Sequence, residues 1–211
     1  MGYQHGAQAA DLVKKYLTWI EKLTEISRDI LCRNAMLFLP LIKALSPDLV
    51  EEIEGLADGA NISFEESVLC QVRAEASQKP DGGCTAFALT RTATDNGKTL
   101  AGQNQDLEPE YADIAILLRV NTDGNKPRAL MFTFAGQLGY SGMNQYGVAH
   151  FANALYDFQW QFGLPHYPLK RILLEQQNID ACISLLTQHR TCSAANKVIC
   201  DGHGQIRDVE I

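Results

Sequence analysis

At Gly83-Cys84 the spacing of apolar residues changes from that of a helix to that of a strand, and this switch constrains the fold more than any other feature of the chain. Upstream, Leu12, Val13, Tyr16, Leu17, Ile20, Leu23, Ile26 and Ile30 recur at helical intervals, predicting one long amphipathic helix over 8–32. A short helix is predicted over 34–39. Ser46-Pro47 opens another, with an N-cap serine and proline at the first helical position. Ser63-Phe64-Glu65-Glu66 is a capping box whose helix runs to about residue 76. Downstream the period becomes two, with strands predicted at 84–91, 98–103, 113–120, 129–135, 140–144 and 147–153. Asp95-Asn96-Gly97, Asp123-Gly124-Asn125 and Asn144-Gln145-Tyr146-Gly147 supply the turns between them. Two helices, 168–176 and 180–189, precede a closing hairpin of 196–201 and 205–211. This order of elements predicts an α+β domain with helices packed on an antiparallel sheet. The last strand reaches the final residue, so an unpaired edge and an uncovered face are expected, as in a fragment or a chain that a partner completes.

Composition narrows the function. With a net charge of −7 and 18 scattered Lys and Arg, the chain lacks the concentrated basic surface that nucleic acid requires. No apolar run is long enough to span a bilayer, since Pro40 and Lys43 interrupt the nearest one. The polar start, Met1 to Gly6, does not read as a secretory signal, and six cysteines in 211 residues do not read as a disulfide scaffold. A reducing cytoplasm is the expected location.

The seam itself carries chemistry. A thiol at the head of a strand, preceded by Gly82-Gly83, is what a self-cleaving nucleophile requires, because glycine tolerates the backbone distortion of attack on the preceding carbonyl. Scission between Gly83 and Cys84 leaves a nucleophile and a free α-amine on one residue. That amine, with a reference pKa of ~7.7–8, can take the proton of a thiol whose own value is ~8.5. The bland reading of Cys84 is a small buried hydrophobe.

Four ordered blocks sharpen the choice: Asp81-Gly82-Gly83-Cys84-Thr85; Gly102-Gln103-Asn104-Gln105-Asp106; Gly142 to Ala149 with Asn153-Ala154-Leu155; and Ala195 to Asp201 with Asp208-Val209-Glu210. Together they resemble the isopenicillin N acyltransferase family (acyl-coenzyme A:6-aminopenicillanic acid acyltransferases), within the cysteine branch of the N-terminal nucleophile hydrolases. The resemblance implies a four-layer αββα sandwich over 84–211 with its second sheet incomplete, preceded by a propeptide-like helical segment over 1–83. It implies a zymogen that cuts itself at Gly83-Cys84 and then forms a thioester on Cys84 from a small-molecule acyl amide or acyl-CoA. Asp106 would hold the new α-amine and Asn153 would donate to the oxyanion, with no cofactor and no metal. The Gln103-Asn104-Gln105-Asp106 form points to the acyltransferase branch rather than to the related bile-salt hydrolases, which resemble this chain too but place an arginine where Gln103 stands.

Other readings stand beside this one. Tyr156, Phe158, Trp160 and Phe162 either wall an apolar acyl pocket or form a partly buried loop. Gln103 and Asn104 are expected to hold backbone, and His150 to be packed. His189 with Cys192, and Cys200 with His203, have zinc-like spacing, but Cys200 falls on an apolar strand, so no metal is expected. A catalytically silent chain that dimerises through its open edge, or recruits a complementing C-terminal half, is the alternative from a different class.

Overall fold

The computed structural model describes residues 1–79, 82–122, 124, 126–155 and 160–211. Pro80 and Asp81 of the predicted linker, Asp123 and Asn125 of a predicted turn, and residues 156–159 lie outside the described set.

Among the described residues, seven helices precede the first strand: α1 (Gly2–Gln8), α2 (Ala10–Thr24), α3 (Arg28–Met36), α4 (Leu39–Leu45), α5 (Pro47–Ala60), α6 (Phe64–Gln71) and α7 (Arg73–Ser77). The predicted helix over 8–32 is therefore two helices. Glu25 closes α2 in the left-handed conformation, at φ 57°. The Glu21 carboxylate then accepts the Arg28 N–H at 3.0 Å, satisfying an orphan donor at the start of α3. The capping box at Ser63 is present with both reciprocal bonds.

Helix α1 has a cause that apolar periodicity does not show. Gly2 and Gly6 face Gly55 and Gly59 of α5, and the two backbones touch. A Cβ on Gly6 would lie 2.3 Å from the Leu56 carbonyl oxygen, and one on Gly59 2.2 Å from that of Tyr3. Gly6→Ala must push the helices apart, and is expected to cost about 1–3 kcal/mol. A urea titration that finds its midpoint unmoved would contradict this contact.

The strands follow as β1 (Gly83–Leu89), β2 (Leu100–Asp106), β3 (Ala115–Val120), β4 (Ala129–Phe134), β5 (Ser141–Asn144) and β6 (Ala149–Ala154). After α8 (His166–Leu173) and α9 (Ile179–Gln188) come β7 (Ala195–Cys200) and β8 (Ile206–Glu210). Strands β3 to β8 form one antiparallel meander in chain order, and β1 with β2 forms a separate hairpin. The α+β class is thus present. Strand β2 runs to Asp106 rather than stopping near 103, because Gly83 to Leu89 pair with it in full register. Its polar end, Asn104-Gln105-Asp106, gave no apolar alternation to read.

The hairpin is fastened to the larger sheet by Gln103. Its amide donates to the Ala152 carbonyl at 2.7 Å and accepts the Ala152 N–H at 3.3 Å. It also accepts the Ser141 hydroxyl at 2.7 Å. The ladder between β5 and β6 ends at His150, so this side chain stands in for the next strand residue. That is the backbone-holding role expected of it.

Helices α8 and α9 cover one face of the sheet, packing Leu169, Leu173, Ile179, Cys182 and Leu186 on Val148 and Ile199. His150 projects to that side, where its Nε2 meets the Lys170 carbonyl at 2.9 Å, so it is packed as expected. The opposite face is only partly covered. Leu117 is 73% exposed, and Leu130, Phe132 and Met143 are exposed beside it. Strand β8 is an edge strand.

The N-terminal helices and the strands share a core. Val13, Tyr16, Leu17, Ile20, Val68 and Leu69 join Phe134, Leu138, Tyr140 and Tyr167 in a single buried cluster. Gln71 binds the loop before β5 at both ends, donating to the Gly136 carbonyl and accepting the Leu138 N–H at 2.9 Å. Among the described residues no helix is long and apolar enough to cross a membrane.

Candidate active site

Alternation along β1 decides where the Cys84 thiol points. Thr85, Phe87 and Leu89 are exposed, whereas Cys84, Ala86 and Ala88 are half-buried. Cross-strand partners share a face, so Cys84 lies with Gln105 and Ala86 with Gln103, on the side that meets the sheet. The thiol accordingly opens into a cavity of about 90 Å³, room for about three waters. Cys84 and Gly82 line it from the hairpin, Asn153 and Ala154 from the end of β6, and Ala195 and Lys197 from the start of β7. Helix α7 contributes Glu75, and α8 contributes His166, Tyr167 and Lys170.

Asn153 is held by a relay across the sheet. The Asn196 amide donates to the Asp208 carboxylate and, through its oxygen, accepts Asn153 Nδ2 at 2.8 Å. This fixes the Asn153 amide and leaves its second N–H free to serve another acceptor. Its Oδ1 is buried without a hydrogen-bond partner among the described residues. Trp160 also lines the cavity and separates it from a groove that contains Phe38 and Phe162. Phe162 itself is exposed and stacks on Phe38, with ring centroids 5.4 Å apart. Tyr156 and Phe158 lie outside the described residues.

Asp106 stands apart from this group. It pairs with Gly83 across the hairpin ladder, next to the bond before Cys84, but on the outward face. Its side chain is exposed and does not line the cavity.

The charged lining was not anticipated from the sequence. Lys197 is fully buried, and its Nζ has no hydrogen-bond partner among the described residues. Burial drives it well below the usual ammonium range, and the charge of Lys170 adds to this. Lys170 lies over the Tyr140 ring at 4.1 Å and the Tyr167 ring at 5.2 Å. Burial lowers its pKa to about 8, against the upward pull of Cys84 and Glu75. Glu75 is raised by burial, although its Oε1 accepts the His166 N–H at 3.0 Å and so caps α8. The His166 ring nitrogen Nε2 meets the Ser193 hydroxyl at 2.8 Å, and burial holds it well below its ordinary value. One signal was available. Lys197 sits inside the apolar stretch Ala195 to Cys200, where strand alternation directs it inward.

Of the cysteines with zinc-like spacing, Cys192 donates to the Gly163 carbonyl at 2.8 Å and Cys200 belongs to β7. Among the described residues no cluster of three His, Cys, Asp or Glu could hold a metal ion.

The sequence profile of the acyl-coenzyme A:6-aminopenicillanic acid acyl-transferase family matches residues 92–211, more than half of the chain. A protein of Emericella nidulans, the acyl-coenzyme A:6-aminopenicillanic-acid-acyltransferase 40 kDa form, is 28% identical over 216 aligned residues. The alignment covers 96% of this chain and 58% of that relative, so the chain spans less than two thirds of the relative's length. The extent of the profile match, together with a relative of the same name along nearly the whole chain, places this protein in the acyl-coenzyme A:6-aminopenicillanic acid acyl-transferase family.

Proposed function

We propose that this chain is a self-processing cysteine N-acyltransferase or amidohydrolase of the N-terminal nucleophile type. On this reading residues 1–83 are the propeptide-like segment and 84–211 contribute the first part of an αββα sandwich. One observation carries it: Cys84, at the head of β1 directly after Gly82-Gly83, shares a cavity with the oriented amide of Asn153. Thiolate attack on an acyl carbonyl seated there gives a thioester on Cys84 and a tetrahedral oxyanion beside an amide donor. Water or an amine then accepts the acyl group. The substrate is a small-molecule acyl amide or acyl-CoA, in line with the family. Once the chain is cut, the α-amine of Cys84 is the proton carrier, and Asp106, which neighbours Gly83, is available to hold it.

Intact mass tests the first step. The purified chain held at neutral pH should yield two species, 1–83 and 84–211. A wild-type chain that remains whole for days would remove the self-processing reading. Asn153→Ala should slow acyl transfer by roughly 10²–10³-fold, the loss of one oxyanion donor worth ~2.7–4 kcal/mol. A smaller loss in kcat would assign the oxyanion to other donors.

A second reading has its own support. The exposed row of Leu117, Leu130, Phe132 and Met143, beside Leu100 of the hairpin, is an apolar sheet face of the kind that binds another layer. A catalytically silent chain that dimerises or takes a complementing half would use this face. Sedimentation of a folded, cleaved monomer would count against that reading.

A further inference from the structure

The self-processing reading leaves one chemical gap. Before scission the nitrogen of Cys84 is a peptide N–H without basicity, so the α-amine cannot activate the thiol for the first cut. Some other group must take that proton.

We infer that Lys170 is the proton partner of Cys84 in the uncut chain, accepting the thiol proton and returning it to the departing Cys84 nitrogen. The inference rests on the self-processing reading above and adds a residue to it.

The candidate bases can be compared by position. Asp106 lies on the outward face of the hairpin, whereas the thiol points inward. Glu75 is occupied in capping α8 through the His166 N–H, and a carboxylate is a poor match for a thiol proton. His166 is engaged through Nε2 by the hydroxyl and carbonyl of Ser193. His150 is turned away toward the Lys170 carbonyl. Lys197 lines the cavity, but the charges that act on its amine are those of Lys170 and Glu75.

Lys170 differs from each of these. It lines the same cavity as Cys84, and a thiolate there favours its ammonium form. Its head group rests on the faces of Tyr140 and Tyr167, which favour the ammonium form once a proton arrives. With a value of about 8, roughly a tenth of the amine is neutral at pH 7 and ready to accept.

The steps balance. The neutral amine removes the Sγ proton, and the thiolate adds to the Gly83 carbonyl carbon while the carbonyl electron pair moves to oxygen. The C–N bond to Cys84 then breaks as the Lys170 ammonium protonates that nitrogen. The products are a Gly83 thioester on Sγ and a free α-amine. One water hydrolyses the thioester, giving the Gly83 carboxylate and the Cys84 thiol. Lys170 ends as it began.

The experiment follows the cut fraction of freshly translated full-length chain, chased between pH 6 and 9.5, for wild type, Lys170→Met and Lys170→Arg. Methionine keeps an unbranched stem against Tyr140 and Tyr167, while arginine keeps the charge but cannot lose its proton. The wild-type rate should rise with pH and level off above about 8, as the neutral amine becomes populated. Both variants should cut at least 100-fold more slowly and lose that limb of the profile, the usual scale of general acid–base catalysis being ~10²–10⁴-fold. Urea midpoints near that of wild type show that the fold survives. If wild type cuts and Lys170→Met follows the same rate and pH profile, Lys170 is not the base, although self-processing stands. Cutting of Lys170→Arg at the wild-type rate would likewise overturn it, by showing that charge alone suffices. An uncut wild-type chain instead sinks the underlying reading.

Discussion

Cys84→Ala is expected to leave the chain a single polypeptide in denaturing electrophoresis, with no detectable 84–211 product, whereas wild type should divide at Gly83-Cys84. Alanine removes the only atom that can form the thioester, so the effect is complete rather than graded. The substitution itself is mild, because Cys84 is half-buried at the head of β1 and its neighbours on that face are alanines 86 and 88. The uncut variant should therefore fold with the wild-type circular dichroism spectrum. An alanine variant that still divides at this bond would place the nucleophile elsewhere.

The same experiment has a second readout. After scission the two pieces should elute together under native conditions. Tyr16, Leu17, Ile20, Leu31, Leu49, Val68 and Leu69 of the first piece are buried against Phe134, Leu138, Tyr140 and Tyr167 of the second. Burying side chains of this size stabilises by roughly 1.5–3 kcal/mol each. Breaking one peptide bond at the edge of that cluster removes none of it. Moreover, Arg73 lies over the Trp19 and Tyr111 rings at 5.5 and 5.7 Å, which fixes α7 and with it the Glu75 carboxylate in the cavity. Release of 1–83 as a free helical segment would show that this packing contributes little.

How much of this was legible in the chain differs by element. The change of period at Cys84 and the capping box at Ser63 are local signals, and each is present in the fold. What failed depended on polar and backbone contacts rather than on apolar ones. The break at Glu25 is stabilised by Glu21 reaching Arg28, and α1 by glycines meeting the glycines of α5. Neither leaves a mark on apolar spacing. The site divides in the same way. Cys84, Asn153 and Trp160 were named from the sequence and line one cavity. Lys170 was not, because a lysine near the end of an amphipathic helix ordinarily lies on its solvated face. It is buried here with its head group over the Tyr140 and Tyr167 rings, which apolar spacing does not foretell.

Stability should fall steeply as the pH drops below about 6.5, through the buried histidines 5, 150 and 166. His5 Nε2 accepts the Gly136 N–H at 3.2 Å, so its lone pair is already committed. Burial lowers its pKa from 6.5 to about 4, only partly opposed by Glu52. His150 is lowered by burial, with Lys197 and Lys170 adding to the effect, to about 3. The same causes hold His166 well below its ordinary value. For each, the unfolded chain takes up a proton near 6.5 while the folded chain does not, so acid favours unfolding. The stabilisation is complete above the unfolded value and is lost as the pH falls toward the folded ones. Three such groups give a limiting slope of about 4 kcal/mol per pH unit, or roughly 6 kcal/mol between pH 6.5 and 5. Glu75 works in the opposite sense, since burial raises it and the folded chain gains that proton first. The observed loss should accordingly fall below this limit, yet remain a large share of the ~5–15 kcal/mol typical of a domain. Urea midpoints at pH 7 and pH 5 measure it, and His5→Gln, whose amide oxygen can accept the Gly136 N–H without titrating, should recover about a third. A midpoint that does not move between those pH values would mean that these rings already carry their protons in the folded chain.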